Sequence, residues 1–248
     1  MRRYWIDKSQ IESECVEFSG DQLHHLRDVC RLQVGSKFEV LFEDSKAHFV
    51  EMTEVDKKHA RAKILETRVI PALPAPAINL AISLPRFQKM DTIVEKAVEL
   101  GVGQITPFVS DFSFVKSLSK VSPNKKERWS KIVKSATQQT GRGSLMPVSE
   151  PVTFEVLLAG LNRVEGAKCL FLYEGQGEIS LKKALEGLQR EKVDEIWLII
   201  GSEGGFSDQE VDMMRERSHS PVTLGDQVLR VETACIAAAS MAHYQFRM

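Results

Sequence analysis

The chain has 248 residues, of which 43% are hydrophobic and 27% charged, and its formal net charge at pH 7 is −1. These values are those of an ordinary soluble globular protein, and the length allows one large domain or two small ones. The longest strongly apolar run, Ile196–Ile200, is far shorter than the roughly 20 residues that span a bilayer, so no membrane span is expected.

Neither the N-terminus nor the cysteines indicate an exported protein. The segment Met1–Ile6 is followed at once by Asp7 and lacks the apolar core of a signal peptide. The cysteines are scattered and form no C-x-x-C pair. We therefore expect no disulfide framework and no metal site, and we expect the protein to be cytoplasmic.

The first part of the chain is dominated by short alternating segments. Lys37–Phe42, Ala47–Met52 and Ala60–Leu65 are predicted strands. Asp21–Arg27 is a predicted short helix with an aspartate cap. This part is predicted to form a small β-barrel or sandwich, because it is too short for an α/β sheet.

A proline-rich stretch marks the best domain boundary. The segment Pro71–Ala77 has prolines at three of its first six positions, which resists both helix and central strand and suits a semi-rigid connector. The predicted division is a first domain over 1–70, a linker over 71–77 and a second domain over 78–248.

Beyond the linker, strands alternate with helices. The predicted strands are Ala77–Ser83, Gln104–Val109 and Ala167–Tyr173, and the predicted helices are Lys89–Leu100 and Lys125–Thr140, which end at Gly101 and Gly141. This alternation predicts an α/β domain with a mostly parallel sheet.

The same region is basic. Between Arg86 and Arg142 there are eleven Lys and Arg residues against five Asp and Glu. A polyanion such as RNA would be attracted to such a surface, whereas a solvated helix face has the same composition. Charge alone leaves both interpretations open.

The C-terminal fifty residues contain two glycine-bearing loops, each after a predicted strand. Glu195–Ile200 is a strand that runs into Gly201–Gly205, and a capping box at Ser207–Glu210 then begins a helix. A second unit of the same kind consists of the strand Pro221–Leu224, the loop Gly225–Arg230 and the helix Val231–Phe246. In an open α/β sheet, ligands bind at the edge where the strands end.

Other nucleotide-binding and hydrolytic motifs are incomplete. Gly101-Val-Gly103 and Gly175-Gln-Gly177 lack the third glycine of a dinucleotide fingerprint. In Gly201–Gly205 the serine is one position too early for a hydrolase nucleophile elbow. His24 and His25 are adjacent and would point apart on a helix, which makes a poor metal pair.

The two loops together resemble the cofactor site of the SPOUT methyltransferases, and more narrowly the bacterial 16S ribosomal RNA uridine-N3 methyltransferases. The motifs that carry this resemblance are Gly201-Ser-Glu-Gly-Gly-Phe-Ser207, Leu224-Gly-Asp-Gln-Val-Leu-Arg-Val-Glu-Thr-Ala234, Lys89-Met-Asp91, Lys96–Val102, Ile105-Thr-Pro107, Gln138–Arg142 and His25–Ser36. They keep their order over nearly the whole chain.

The resemblance implies a fold and a function. It implies a trefoil-knotted, SPOUT-type, mostly parallel sheet flanked by helices, preceded by a small PUA-like β-barrel that binds RNA. It also implies S-adenosylmethionine as cofactor, 16S ribosomal RNA or the small ribosomal subunit as substrate, and a homodimer. The alanine-rich helix from Glu232 to Tyr244 fits a dimer interface or the core of one subunit equally well.

The resemblance also suggests site residues. The residues assigned to the cofactor are Leu172, Ile200, Gly201, Glu203, Gly205, Leu224, Gly225 and Leu229. Glu203 could instead cap the following helix. The residues assigned to RNA are Arg2, Arg3, Arg27, Arg31, Arg86 and Arg142.

Arg230 and Glu232 are the predicted catalytic residues. Loss of the N3 proton places negative charge on the uracil carbonyls, which an arginine could stabilise while Glu232 positions it. The alternative interpretation is a purely structural Arg–Glu pair.

Three residues depart from the family pattern. Ser202 replaces a proline and is expected to loosen its turn; Gln138 replaces a glutamate, and Gln227 replaces an arginine that could contact phosphate or cofactor. Two alternatives therefore remain at the sequence level. They are a knotted RNA-binding protein without catalysis and a SPOUT methyltransferase with a different RNA target.

Overall fold

A computed structural model of the protein describes residues 1–174 and 179–247. The Gly175-Gln-Gly177 motif lies outside these residues. The chain divides into two compact units. The first consists of Met1–Ala72 and Thr137–Leu145, and the second of Leu73–Ala136 and Met146–Met248.

The first unit is built on a mixed six-stranded sheet with the order β1-β4-β5-β6-β3-β2. The strands are β1 (Arg3–Trp5), β2 (Ile11–Glu12), β3 (Cys15–Phe18), β4 (Lys37–Leu41), β5 (Lys46–Val55) and β6 (Ala60–Val69). Its core contains Phe18, Phe38 and Met52, all almost fully buried. The predicted small β domain is thus observed, and its long strands β5 and β6 extend beyond the predicted segments.

The single α-helix that lies wholly within this unit differs from its prediction at the cap. Helix α1 (Gly20–His24) follows Ser19 and continues into a π-helical turn over His25–Val29. Asp21 is therefore inside the first turn and not at the cap, so the predicted aspartate cap is wrong. A carboxylate in this position still faces the positive end of the helix dipole.

A segment from the middle of the chain belongs to this first unit. The side-chain carbonyl of Gln138 accepts a hydrogen bond from the backbone N–H of Trp5 at 2.7 Å. Leu145 packs against a small cluster that contains Trp5, Leu41 and Ile70. The predicted division of the chain places this segment in the second domain. That prediction is wrong here, because no local sequence signal indicates the long-range contacts that join the segment to the first unit.

The second unit contains a sheet whose described strands are all parallel, in the order β11-β13-β10-β12-β7-β8-β9. These strands are β7 (Ala77–Ser83), β8 (Ile105–Val109), β9 (Val152–Thr153), β10 (Ala167–Leu172), β11 (Ile179–Ser180), β12 (Glu195–Ile200) and β13 (Ser220–Thr223). The helices are α2 (Phe87–Glu99), α3 (Pro123–Thr140, whose last turn lies in the first unit), α4 (Phe154–Leu161), α5 (Leu181–Leu188), α6 (Asp208–Glu216) and α7 (Val231–Arg247).

Central strands of this sheet are continuous apolar runs. β7 and β12 are neighbours, and nearly every residue of both is buried. A strand covered by helices on both faces needs such a sequence. The predicted α/β unit with a parallel sheet is confirmed. The short helices α4 and α5, capped by Thr153 and Ser180, are absent from the predicted elements.

The alanines of α7 pack inside the single chain. Ala234, Ala238, Ala239 and Ala242 are buried, and Ala237 is half-buried. At the end of this helix, Arg247 donates hydrogen bonds to the carbonyls of Gly101, Pro74 and Pro76. Most of this small-residue stripe therefore has a core role. No helix in the described part of the chain is long and apolar enough to cross a membrane.

The contact between Gln138 and Trp5 gives a testable stability effect. We expect Gln138→Leu to lower the free energy of unfolding by about 1–3 kcal/mol, because the buried N–H of Trp5 would lose its acceptor. Gln138→Glu retains an acceptor and is the matched control. Urea denaturation of both variants checks this, and equal stability of Gln138→Leu and wild type would contradict it.

Candidate cofactor and RNA site

The order of three strands in the sheet determines where the site forms. β10 lies between β12 and β13, and all of them run in the same direction. Their carboxyl ends therefore meet at one edge of the sheet. The loops that leave these ends follow Leu172, Ile200 and Thr223, so they come from separate segments of the chain, yet they are neighbours in space.

The three loops enclose a cavity of about 410 Å³, within the size range of small-molecule sites. Six of the predicted cofactor residues line it: Leu172, Ile200, Gly201, Glu203, Gly205 and Leu229. Leu224 and Gly225 lie in the loop after β13 but are not among the lining residues, whereas Val228 of that loop is. The glycine bends after β12 and β13 thus contribute to a single crevice.

Two glycines allow the backbone of the loop after β12 to form one wall of the cavity. A Cβ on Gly201 would lie 3.0 Å from the backbone carbonyl group of Gly205. Gly205 itself has φ +69°, a region that glycine adopts without steric cost. Both positions allow the two backbone segments of this loop to approach each other closely.

Helix α6 is anchored where this loop ends. The hydroxyl of Ser207 accepts a hydrogen bond from the N–H of Glu210, whose carboxylate accepts one from the N–H of Ser207 at 3.0 Å. The predicted capping box is confirmed. Glu210 also accepts a hydrogen bond from the N–H of Asp111 at 2.9 Å. Burial raises the pKa of this carboxyl against the opposing effect of these hydrogen bonds.

Ser202, which replaces the family's proline, makes a contact that proline cannot make. Its hydroxyl donates a hydrogen bond to the carbonyl of Phe112 at 2.5 Å, and the side chain is buried. The N–H of Gly205 closes the turn onto the carbonyl of Ser202 at 3.0 Å. The turn expected to be loose is therefore cross-linked to the loop after β8.

Lys89 joins two carboxylates of the site. Its ammonium lies 2.9 Å from Glu203 and 3.4 Å from Glu232. Hydrogen bonding to Glu203 raises the pKa of Lys89. Burial tends to raise the pKa of Glu203, but the hydrogen bond from Lys89 and nearby positive charge lower it overall. In the sequence Lys89 stands out only as part of the Lys89-Met-Asp91 motif, and no local signal indicates these contacts.

Arg230 and Glu232 are close in sequence but do not pair. Arg230 immediately precedes α7 and is exposed, and no hydrogen bond or ion pair engages its guanidinium within residues 1–174 and 179–247. Residues two apart on a helix point in different directions, and Glu232 faces Lys89 instead. The described residues therefore contain no ion pair between Arg230 and Glu232, and the catalytic roles assigned to these two residues stay predictions. Arg230 remains available at the end of the loop that supplies Val228 and Leu229 to the cavity.

The arginines predicted to bind RNA in the first unit have different environments. Arg3 pairs with the buried Glu39 at 2.8 Å, and Arg27 pairs with the neighbouring Asp28 at 2.7 Å. Arg2 donates to the carbonyl of Cys30. Arg31 is exposed and takes part in no described ion pair, which makes it the freest of the four to contact a phosphate.

The remaining predicted RNA residues belong to different units. Arg86 is exposed in the second unit, with its guanidinium 5.0 Å from the ring centre of Phe114. Arg142 lies in the first unit and is half-buried. Gln227, where the family has arginine, is exposed in the loop after β13.

The cavity has the chemistry that S-adenosylmethionine requires. Leu172, Ile200 and Leu229 supply apolar wall for a flat base, and the glycine bend supplies close backbone for polar contacts. The carboxylate of Glu203 is a suitable neighbour for a cationic sulfonium. The residues present therefore fit this cofactor. The described residues contain no group of three or more His, Cys, Asp or Glu that could hold a metal ion.

Comparison with known families agrees with this geometry. Residues 72–243 match the RNA methyltransferase domain, and residues 18–65 match the RNA methyltransferase PUA domain. The chain is 33% identical to ribosomal RNA small subunit methyltransferase E of Bacillus subtilis, over 99% of this chain and 97% of that protein. This chain belongs to the ribosomal RNA small subunit methyltransferase E family.

Solved structures support the same conclusion and the cofactor. The ribosomal RNA small subunit methyltransferase E of Neisseria gonorrhoeae bound to S-adenosylmethionine is 26% identical, with a TM-score of 0.83 and coverage of 99% of this chain and 98% of that one. A Legionella pneumophila methyltransferase in complex with the same cofactor is 25% identical, with a TM-score of 0.84 and coverage of 98% and 96%. The predicted enzyme class, the cofactor and the PUA-like first domain are confirmed.

A substitution at Gly201 tests the cofactor wall. We expect Gly201→Ala to weaken S-adenosylmethionine binding by about tenfold or more, because the added Cβ must displace the backbone of Gly205. A tenfold loss of affinity corresponds to about 1.4 kcal/mol of binding free energy. Isothermal titration calorimetry measures the affinity. Gly187→Ala, on α5 with nothing within 4 Å of the added Cβ, is the control. Equal affinity of Gly201→Ala and wild type would contradict this assignment.

Proposed function

We propose that this family member methylates N3 of a uridine in the 16S ribosomal RNA of the small subunit. The observation that carries the proposal is the single cavity at the ends of β10, β12 and β13, whose lining fits S-adenosylmethionine. The N3 position rests on the resemblance of the two loop motifs, and small-subunit RNA is what the names of the relatives specify.

The chemistry assigned to Arg230 follows from its position. Bound S-adenosylmethionine would supply an activated methyl group. As the uracil N3–H loses its proton to solvent, negative charge develops on the flanking carbonyl oxygens. A guanidinium that no described residue engages, beside the cavity, can donate hydrogen bonds to such an oxygen. Arg230 therefore acts on the base directly.

Lys89 and the carboxylates act differently. Glu232 lies in the first turn of α7 and Glu203 in the loop after β12, and Lys89 on α2 joins them. This arrangement orients Glu203 toward the cavity that it lines. Glu232 is thus a positioning residue for the cofactor wall and does not hold Arg230.

The remaining features of the proposal concern assembly. The resemblance supports a trefoil knot, a homodimer and action on ribosomal subunits in the cytoplasm. Tyr244, near the end of α7, is 70% exposed and is available for contact with a second copy. A first domain over 1–70 that binds RNA, a linker over 71–77 and a catalytic domain over 78–248, without the segment Thr137–Leu145 that belongs to the first unit, remain part of this proposal.

Arg230→Ala tests the catalytic role. We expect methyl transfer to fall about 10²–10³-fold, the usual cost of removing a donor that stabilises developing negative charge, with cofactor affinity unchanged. Arg230→Lys, which keeps the charge, should recover part of the rate. Initial rates are measured with radiolabelled cofactor on small subunits from a strain that lacks the enzyme.

The product of the same assay tests the target. Nucleoside mass spectrometry should detect 3-methyluridine in the modified 16S RNA. A near-wild-type rate in Arg230→Ala would overturn its catalytic role. A different methylated nucleoside would show that the enzyme has another RNA target, and cofactor binding without any methylation would indicate an RNA-binding protein without catalysis.

Arg31→Glu tests RNA binding by the first domain. We expect weaker binding to small-subunit RNA, and the slope of log affinity against log salt should fall by about 1 if Arg31 contacts a phosphate. Arg190→Glu, an equal charge change at an exposed position after α5, is the control. Filter binding over a salt series measures both, and identical slopes for the two variants would contradict the assignment.

A further inference from the structure

Two phenylalanines are exposed on a loop beside the cofactor cavity. In the loop after β8, Phe112 is 48% and Phe114 is 55% exposed, whereas Ser113 and Val115 between and after them are buried. The N–H groups of Phe114 and Val115 both approach the carbonyl of Leu84. The backbone thus directs alternate side chains inward and leaves both aromatic rings accessible.

This loop is held rigidly at its base. The hydroxyl of Ser83 lies 2.6 Å from that of Ser110 and 2.8 Å from that of Ser113, and all three are buried. The N–H of Ser110 also donates to the hydroxyl of Ser113 at 2.7 Å. Satisfied buried hydroxyl networks of this kind fix one conformation. The exposed rings therefore project from a preorganised support.

The same loop is attached to the cofactor loop. Besides the hydrogen bond from Ser202 to the carbonyl of Phe112, the hydroxyl of Ser207 donates to the carboxylate of Asp111 at 2.6 Å. A Cβ on Gly204 would lie 2.9 Å from the Cβ of Phe112. Phe112 therefore packs directly on a residue that lines the cavity.

Cationic side chains lie near the two rings. The guanidinium of Arg86 lies 5.0 Å from the ring centre of Phe114, a cation–π distance. Lys116 donates to the carbonyl of Asp111, and Lys89 bonds to Glu203 beside Gly204. Arg86 is also close enough to Glu203 to help lower its pKa. Aromatic faces combined with cations are the chemistry by which proteins bind single-stranded nucleic acid.

We propose that Phe112 and Phe114 form a stacking surface for an unpaired RNA base that flanks the target uridine, with Arg86 contacting the adjacent backbone. This inference rests on the proposed function, and it names how the substrate strand is held beside the cavity. An enzyme that methylates a base acts on a single strand or takes its target base out of the stack. A flanking base stacked on Phe112 would keep that strand extended over Gly204 and the cofactor loop.

Leucine substitutions distinguish the effect of an aromatic ring from that of a large apolar side chain. We expect Phe112→Leu and Phe114→Leu each to raise the KM for small-subunit RNA about fivefold or more, the lower limit for loss of one base–aromatic stack. Phe112→Tyr retains an aromatic face and should restore most of the wild-type KM. Val156→Ala, an exposed apolar side chain on α4, is the control and should change nothing. Cofactor affinity, measured by calorimetry, should not change in any variant.

The outcomes distinguish this inference from the proposed function. Wild-type KM in both leucine variants would overturn the stacking surface, as would a parallel loss of cofactor affinity, which would indicate a merely structural role. A shift of the leucine variants to a smaller sedimenting species would identify a second copy as the occupant instead. If wild type forms no 3-methyluridine, the proposed function fails, and anisotropy with a fluorescent uridine-rich oligonucleotide still tests stacking in the same variants.

Discussion

The constraint on which the site depends is the position of β10 between β12 and β13 in a parallel sheet. Parallel strands end at the same edge, so this order brings three separate loops together without any of them being long. The cavity is a consequence of that placement, and its chemistry comes from the loops. Gly201 and Gly205 keep the backbone close, while apolar residues such as Leu172 and Leu229 complete the walls.

Ion pairs and hydrogen bonds hold the loops around the cavity in place. Lys89 links Glu203 to Glu232, so that α2, the loop after β12 and the start of α7 are joined by charge. Ser202 and Ser207 hold the loop after β8 against the same segment. Partly buried charge pairs and buried hydrogen bonds restrict geometry more than they add stability. Such restriction suits a site in which a methyl donor and a base must be aligned.

Much of the second unit follows from local sequence, because apolar runs such as Glu195–Ile200 and the capping box at Ser207 are local signals. The cavity could be anticipated only through resemblance, since the sequence does not reveal strand order. Three features do not follow from local sequence: the inclusion of Thr137–Leu145 in the first unit, the ion pairs of Lys89 with Glu203 and Glu232, and the separation of Arg230 from Glu232. Each depends on contacts between distant segments or on the direction in which a side chain leaves a helix.

The most direct test of the central claim is amide hydrogen exchange of the protein with and without S-adenosylmethionine, followed by mass spectrometry. If the bends after β12 and β13 form one cofactor site, exchange slows on ligand addition in both 201–206 and 224–230. Protection confined to one bend, or absent from both at saturating cofactor, would contradict a shared crevice.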